Sequence, residues 1–321
     1  MMKVLVTGAT GFIGGRIFEE LEVAGLDVVG TCRNSSEPGR NMVALDVSDH
    51  YAVDRLFADQ PFDAVIHCAG IAHRFGKIPD RVYREVNVEG TKNMALAARR
   101  AGVKKFVLVS SVLVYGGGGT AAEPRKETDR KLPRDAYAQS KLDSETAAIE
   151  AFGASKVALC IFRPAPVIGE GSKGNFARLV KAIDRGRFVW LGRGENRKSL
   201  TYVGDIAAGC RSFLTESGTD RAQILNIASP PGSMAEIVSA ISGELGRKIP
   251  RIHIPESFAR FVSVGGKLLG GPFGRIGRSL ETWFSEDVYS TTALAKAFTH
   301  LDPMPLVEAI KLDVRARIDQ K

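Results

Sequence analysis

From its start to about residue 164 the chain repeats one pattern: a short apolar run, a turn, then apolar residues at helical spacing. The apolar runs fall at 3–7, 27–32, 42–45, 63–67, 105–110 and 157–162. They are short and do not alternate polar with apolar, as expected of strands buried on both faces. Helical patterns occupy 12–24, 80–100 and 136–151, with a further helix capped by Ser48 and running to about 60. Gly102 ends the 80–100 helix. Such alternation specifies an α/β fold, a doubly wound parallel sheet with helices on both sides.

After Arg163 the regularity breaks. Prolines and glycines cluster (Pro164, Pro166, Gly169, Gly171, Gly174), and shorter strand and helix patterns follow. A length of 321 residues, 44% of them hydrophobic, suits two units at roughly 150 residues each. The expected division is a dinucleotide-binding domain over 1–164, with returning segments near 198–230, and an interleaved substrate lobe over 165–321. Segment 258–284 mixes glycines, arginines and large apolar residues and reads as an insertion packed on that lobe.

Chemistry enters at the first strand-to-helix turn, Thr7-Gly-Ala-Thr-Gly-Phe-Ile-Gly14. Glycines at 8, 11 and 14 let the turn be tight and let a pyrophosphate approach the backbone at a helix N-terminus. The spacing alone is weak; its position makes it strong. Gly8, Thr10, Gly11, Phe12, Ile13 and Gly14 are the candidate lining. A carboxylate at the end of the second strand would select NAD, but the residues there are Cys32-Arg33-Asn34. Arg33 suits a 2′-phosphate, which favours NADP over NAD. Asp46 and Val47 are candidates to meet the adenine.

Tyr137 is followed one helical turn later by Lys141, so both lie on one helix face. A free phenol, with a pKa of about 10, is a poor base; a nearby ammonium and a positive nicotinamide ring are expected to bring it toward neutrality. Ser111 sits just past the fifth strand, on the edge that faces the ligand crevice in a doubly wound sheet. A hydroxyl there can hold a substrate oxygen while Tyr137 moves its proton.

These motifs, together with His67-Cys68-Ala69-Gly70, Asn87-Val-Glu-Gly-Thr91, Ser110–Gly116, Arg163-Pro164 and Thr201–Asp205, resemble the extended short-chain dehydrogenase/reductases, the NAD(P)-dependent epimerase/dehydratase family. The resemblance implies that Ala69, Gly70, Asn87 and Pro164 help bind the cofactor and that Lys141 also holds the nicotinamide ribose. It implies that Asn175-Phe176 receives the nucleotide of a nucleotide sugar, that Lys198 contacts a phosphate, and that the chain forms homodimers through the helices near 80–100 and 136–151. Two departures matter. Val112-Leu113 replaces the acid/base pair of the sugar-nucleotide dehydratases, and Pro166 replaces an Asn common in epimerases.

The expected activity is therefore an epimerase or 4-ketoreductase acting at a secondary alcohol or ketone, at C4 of a nucleotide sugar. Ser111, Tyr137 and Lys141 are the expected catalytic set. An NADPH-dependent ketoreductase for an apolar steroid- or flavonol-like ketone stays open, as does a non-catalytic dinucleotide sensor. The 44 basic against 36 acidic residues (net +8) favour anionic ligands, yet no basic stripe points to nucleic acid. Four scattered cysteines and five histidines lack metal-ligand spacing. They read as free thiols and no metal site. No apolar run reaches the ~18 residues of a membrane span, and no signal peptide is seen, so a cytoplasmic protein is expected.

Overall fold

Val4, Leu5 and Val6 are all fully buried, which is possible only for a strand covered on both faces. The computed structural model describes residues 1–33, 41–72, 78–216, 222–249, 253–255, 257 and 283–319. Within it β1 (Lys3–Thr7), β2 (Asp27–Cys32), β3 (Met42–Ala44), β4 (Ala64–His67), β5 (Lys105–Val109), β6 (Ala158–Pro164) and β7 (Gln223–Ile227) form one seven-stranded sheet. Its order is β7-β6-β5-β4-β1-β2-β3, and every neighbouring pair is parallel. The doubly wound sheet expected from the alternation is present. The order reverses between β1 and β4, and ligands of such sheets bind at the carboxyl ends beside that point.

Successive strand residues point to opposite faces. Val4, Val6, Ile66 and Val107 thus pack with Ile17, Phe18 and Leu21 of α1 (Phe12–Val23). Leu5, Val65, Phe106 and Leu108 pack on the other side with Met94 and Phe152. Those two residues belong to α3 (Gly90–Arg100) and α4 (Ala136–Phe152). Phe106 is wholly buried and meets Phe152 at 5.0 Å between ring centroids; Phe106→Ala would cost about 3–5 kcal/mol through lost burial and a cavity.

A third cluster lies apart from the sheet. It joins Val180 and Ile183 of α5 (Asn175–Asp184), Ile237 and Val238 of α7 (Met234–Glu244), and Ile310 and Val314 of α8 (Leu306–Asp319). Between α5 and α7 the chain returns to the sheet as α6 (Val203–Thr215), whose Phe213 and Leu214 pack under it, and as β7. Residues 258–282 of the expected insertion lie outside the described residues.

Three local expectations are corrected. Ser48 does not cap α2 (His50–Asp59): Asp49 does, accepting from Tyr51 N and Ala52 N, while Ser48 donates to Asp46. A carboxylate is the stronger acceptor for free helix N–H groups. The stretch 80–100 is not one uniform α-helix, since a π turn, Arg84–Glu89, interrupts it before α3. Cys32, Cys160 and Cys210 are buried free thiols, but Cys68 is only half-buried. No helix among the described residues is long and apolar enough to cross a membrane.

Candidate active site

The glycine turn joins β1 to α1. Gly8 has φ +69°, a left-handed conformation, and its own Cα faces Ala69 so closely that a Cβ would lie 2.9 Å from Ala69 N. Gly11 N donates to the Gly8 carbonyl at 2.9 Å. Gly11 is the N-cap of α1 and brings no side chain to the free N–H groups of the first turn. Uncapped amides, a positive helix terminus and the absence of Cβ atoms make a cradle that a pyrophosphate fits. Arg33 and Asp46 are both exposed at the adjacent strand ends. Hydrogen bonds from the Ser48 side chain and backbone, with a smaller contribution from the Arg33 charge, hold the Asp46 carboxyl below the usual range. Val47 is buried, its Cγ2 so close to Gly90 that a Cβ there would lie 2.7 Å away.

The turn after β4 is fastened from below. Thr7 Oγ1 accepts from Cys68 N at 3.2 Å and from Ala69 N at 3.1 Å, and lies 2.7 Å from His67 Nδ1. Burial, with the Lys141 charge, pushes His67 down to about 3, so the ring is neutral. Thr7 Oγ1 and His67 Nδ1 share one hydrogen bond, while Nε2 is buried with no partner among the described residues. Asn87, 1% exposed, holds the same turn from above. Its Oδ1 accepts from Ile71 N at 2.7 Å, and its Nδ2 donates to Ile71 O and Ser140 Oγ. The Asn87 carbonyl, within the π turn, accepts from Thr91 Oγ1 and Ser144 Oγ. Single π turns of this kind recur at functional sites. A Cβ on Gly70 would lie 2.9 Å from Asn87 Oδ1 and 3.7 Å from Lys141 Nζ, so these three residues converge.

Against the same turn α4, capped by Asp135 through Ala138 N, brings Tyr137 and Lys141 to the end of β5. The Tyr137 hydroxyl stands beside Ser111, whose hydroxyl favours the phenolate. Ser111 Oγ also accepts from Leu113 N at 3.2 Å, capping the short 3-10 turn that follows. Lys141 is buried, and its Nζ donates to Val109 O at 2.9 Å. Burial pushes the Tyr137 hydroxyl up to about 12, helped by the Asp135 charge and partly offset by Ser111. Burial also lowers Lys141, against the opposing pull of Cys68 and Glu145. The protein's own groups thus leave the phenol protonated, because desolvation outweighs their attraction.

Asn175 is exposed at the start of α5, Phe176 packs at the edge of the third cluster, and Pro164 ends β6. Lys198 Nζ donates to Asp287 Oδ2 at 2.6 Å and Ser285 Oγ at 2.9 Å, so its charge already has a carboxylate partner. Sequence reasoning missed Ser110, Glu145 and the role of Arg163. The signal available was Glu145 one further turn along the face of Tyr137 and Lys141. Among the described residues, no group of three or more His, Cys, Asp or Glu side chains could hold a metal ion.

The model of the NAD dependent epimerase/dehydratase family matches residues 4–228. The chain is 31% identical over 259 residues, 79% of its length and 75% of the relative's, to the N-acetyl-alpha-D-glucosaminyl-diphospho-ditrans,octacis-undecaprenol 4-epimerase of Escherichia coli O157:H7. It is 30% identical over 329 residues, 95% of its length and 86% of the relative's, to a 3 beta-hydroxysteroid dehydrogenase/Delta 5-->4-isomerase of Mycobacterium tuberculosis (strain CDC 1551 / Oshkosh). Among solved structures, MoeE5 in complex with UDP-glucose and NAD superposes with a TM-score of 0.75 at 25% identity, covering 99% of both chains.

Proposed function

The chain belongs to the NAD dependent epimerase/dehydratase family, and from that premise we propose that this NAD-dependent enzyme acts at C4 of a nucleotide sugar, as an epimerase or a 4-ketoreductase. The observation that carries the reading is the meeting of Tyr137, Ser111 and Lys141 at one strand end, beside Gly70 and Asn87. With the dinucleotide's pyrophosphate held by the Gly8–Gly14 turn, the oxidised nicotinamide would supply the acceptor for the substrate's hydride and a positive charge. Tyr137 takes the proton of the C4 hydroxyl and returns it on reduction. Ser111 holds the same oxygen, and Lys141 supplies the fixed positive charge behind the phenol. Arg33, exposed beside Asp46, supports NADP over NAD. The helices near 80–100 and 136–151 serve a homodimer.

The test is a binding and turnover panel. NAD and NADP are screened by thermal shift, followed by UDP-, GDP- and dTDP-sugars with interconversion followed by NMR. Interconversion of two epimers without net cofactor consumption identifies an epimerase, and one cofactor consumed per product a reductase. Dinucleotide binding with no sugar turned over overturns the reading. A second reading, an NAD(P)-dependent ketoreductase for a steroid-like alcohol, is favoured by the similarity to the mycobacterial hydroxysteroid dehydrogenase over nearly the whole chain. Turnover of a 3β-hydroxysteroid but of no sugar nucleotide would select it.

A further inference from the structure

Three consecutive residues at the end of β5 each meet one of three residues on a single stripe of α4. Val109 O accepts from Lys141 Nζ at 2.9 Å, Ser110 Oγ donates to Glu145 Oε1 at 2.5 Å, and Ser111 stands beside Tyr137. Tyr137, Lys141 and Glu145 stand one helical turn apart, so they face the strand together. The Ser110–Glu145 bond is itself held from behind. Arg163 on β6 grips Glu145 with two donors, Nε to Oε1 at 2.9 Å and Nη2 to Oε2 at 2.5 Å. Its Nη1 donates to the Tyr115 hydroxyl, which donates to Asn226 Oδ1 at 2.7 Å. Arg163 and Glu145 side chains are 1% and 3% exposed.

Stability does not account for such a pair. A buried, fully hydrogen-bonded ion pair is often no more stabilising than apolar residues of equal volume, because desolvation offsets the attraction. Its position suggests what it does. We propose that Glu145 is a positioning residue for the reaction: clamped by Arg163, it fixes the register of α4 on β5 so that Tyr137 meets Ser111, and it holds a carboxylate one turn from Lys141 that keeps the ammonium charged. This rests on the roles given above to Tyr137 and Lys141. The titratable groups that act on Lys141 or feel its charge are His67 and Cys68 at the end of β4 and Glu145 on its own helix; Arg163 reaches it through Glu145. His67 is neutral, and burial pushes the Cys68 thiol up to about 12. Glu145 is therefore the anion available to oppose the desolvation of Lys141.

The test follows Lys141 directly in the full-length protein with NAD bound. Lysines are labelled with carbon-13 at Cε, the Lys141 signal is assigned by its loss in Lys141→Met, and its titration is read by NMR. In Glu145→Gln the midpoint should fall by a pH unit or more, about tenfold in the ionisation constant. Glu145→Asp should recover part of that fall. If Glu145→Gln does not fold, Glu145→Gln combined with Arg163→Met removes both charges, and the midpoint should still fall. An unmoved midpoint in a folded variant overturns the proposal, because a merely structural carboxylate would lower Tm without touching the titration. With UDP-glucose as probe, the alkaline limb of the kcat profile should move with the Lys141 midpoint while KM for NAD stays near the wild-type value; a limb that ignores the midpoint also overturns it. Should wild-type protein turn over no sugar, the functional reading fails, yet the titration still decides whether Glu145 governs Lys141.

Discussion

A methyl group placed on Gly14 would stand 2.3 Å from the carbonyl oxygen of Gly8, so helix α1 leans on the turn that precedes it with no room for a side chain. Gly14→Ala should therefore push the first turn of α1 off the cradle. Overpacking of this kind costs about 1–3 kcal/mol. The expected result is a lower Tm and a larger loss of NAD-induced thermal shift, both read by thermal unfolding with and without NAD. An unchanged shift would mean that the pyrophosphate does not approach this turn.

Tyr137→Phe keeps the ring and its 5.9 Å approach to Tyr83 but deletes the hydroxyl that meets Ser111. Positioned acid–base groups contribute about 10²–10⁴ in rate, and turnover should drop by that much. NAD affinity by calorimetry should change less than threefold, on the order of 0.6 kcal/mol. Wild-type turnover in this variant would remove Tyr137 from the reaction.

Arg33 stands exposed where β2 ends, its charge felt by Asp46. A charge-assisted hydrogen bond to a 2′-phosphate is worth about 1.5–3 kcal/mol. Arg33→Ala should accordingly weaken NADP roughly tenfold or more and leave NAD nearly unaffected. Equal losses for the two dinucleotides would sink the phosphate contact.

Asp205 is buried in the first turn of α6. Its Oδ1 accepts from Met304 N at 3.1 Å, while Oδ2 has no partner among the described residues. Burial, reinforced by Asp302, raises the carboxyl from 3.8 to about 6. The folded state thus holds a proton that the unfolded chain releases between about pH 4 and 6, and stability falls across that window as pH rises. Asp205→Asn retains the Met304 acceptor and removes the ionisation. It should be near neutral at pH 4 and stabilising above pH 6, by as much as ~3 kcal/mol. Urea denaturation at the two pH values checks the sign.

Much of this molecule was legible before any coordinates. The short unalternating runs at Lys3–Thr7 and Asp27–Cys32 announced a sheet covered on both faces, because burial on two sides leaves no reason for a polar alternation. Gly8, Gly11 and Gly14, and the helical pairing of Tyr137 with Lys141, are likewise short-range patterns, written in backbone conformation and in the 3.6-residue turn. The cap of α2 was misread by one residue because Ser48 and Asp49 are both competent caps; the choice fell to the stronger acceptor once Ser48 had bonded Asp46.

What a residue touches across the fold was decided elsewhere. Nothing local assigns Lys141 to Val109 O, Glu145 to Arg163, or Lys198 to Asp287. Those partners are brought together by strands and straps distant in the chain, and the protonation of Tyr137 follows from how deeply they enclose it. Sequence by itself determined the periodic backbone and the kinds of chemistry at hand. The tertiary structure decided which charges meet and which lose water, because desolvation and pairing act between groups that only the closed fold makes neighbours.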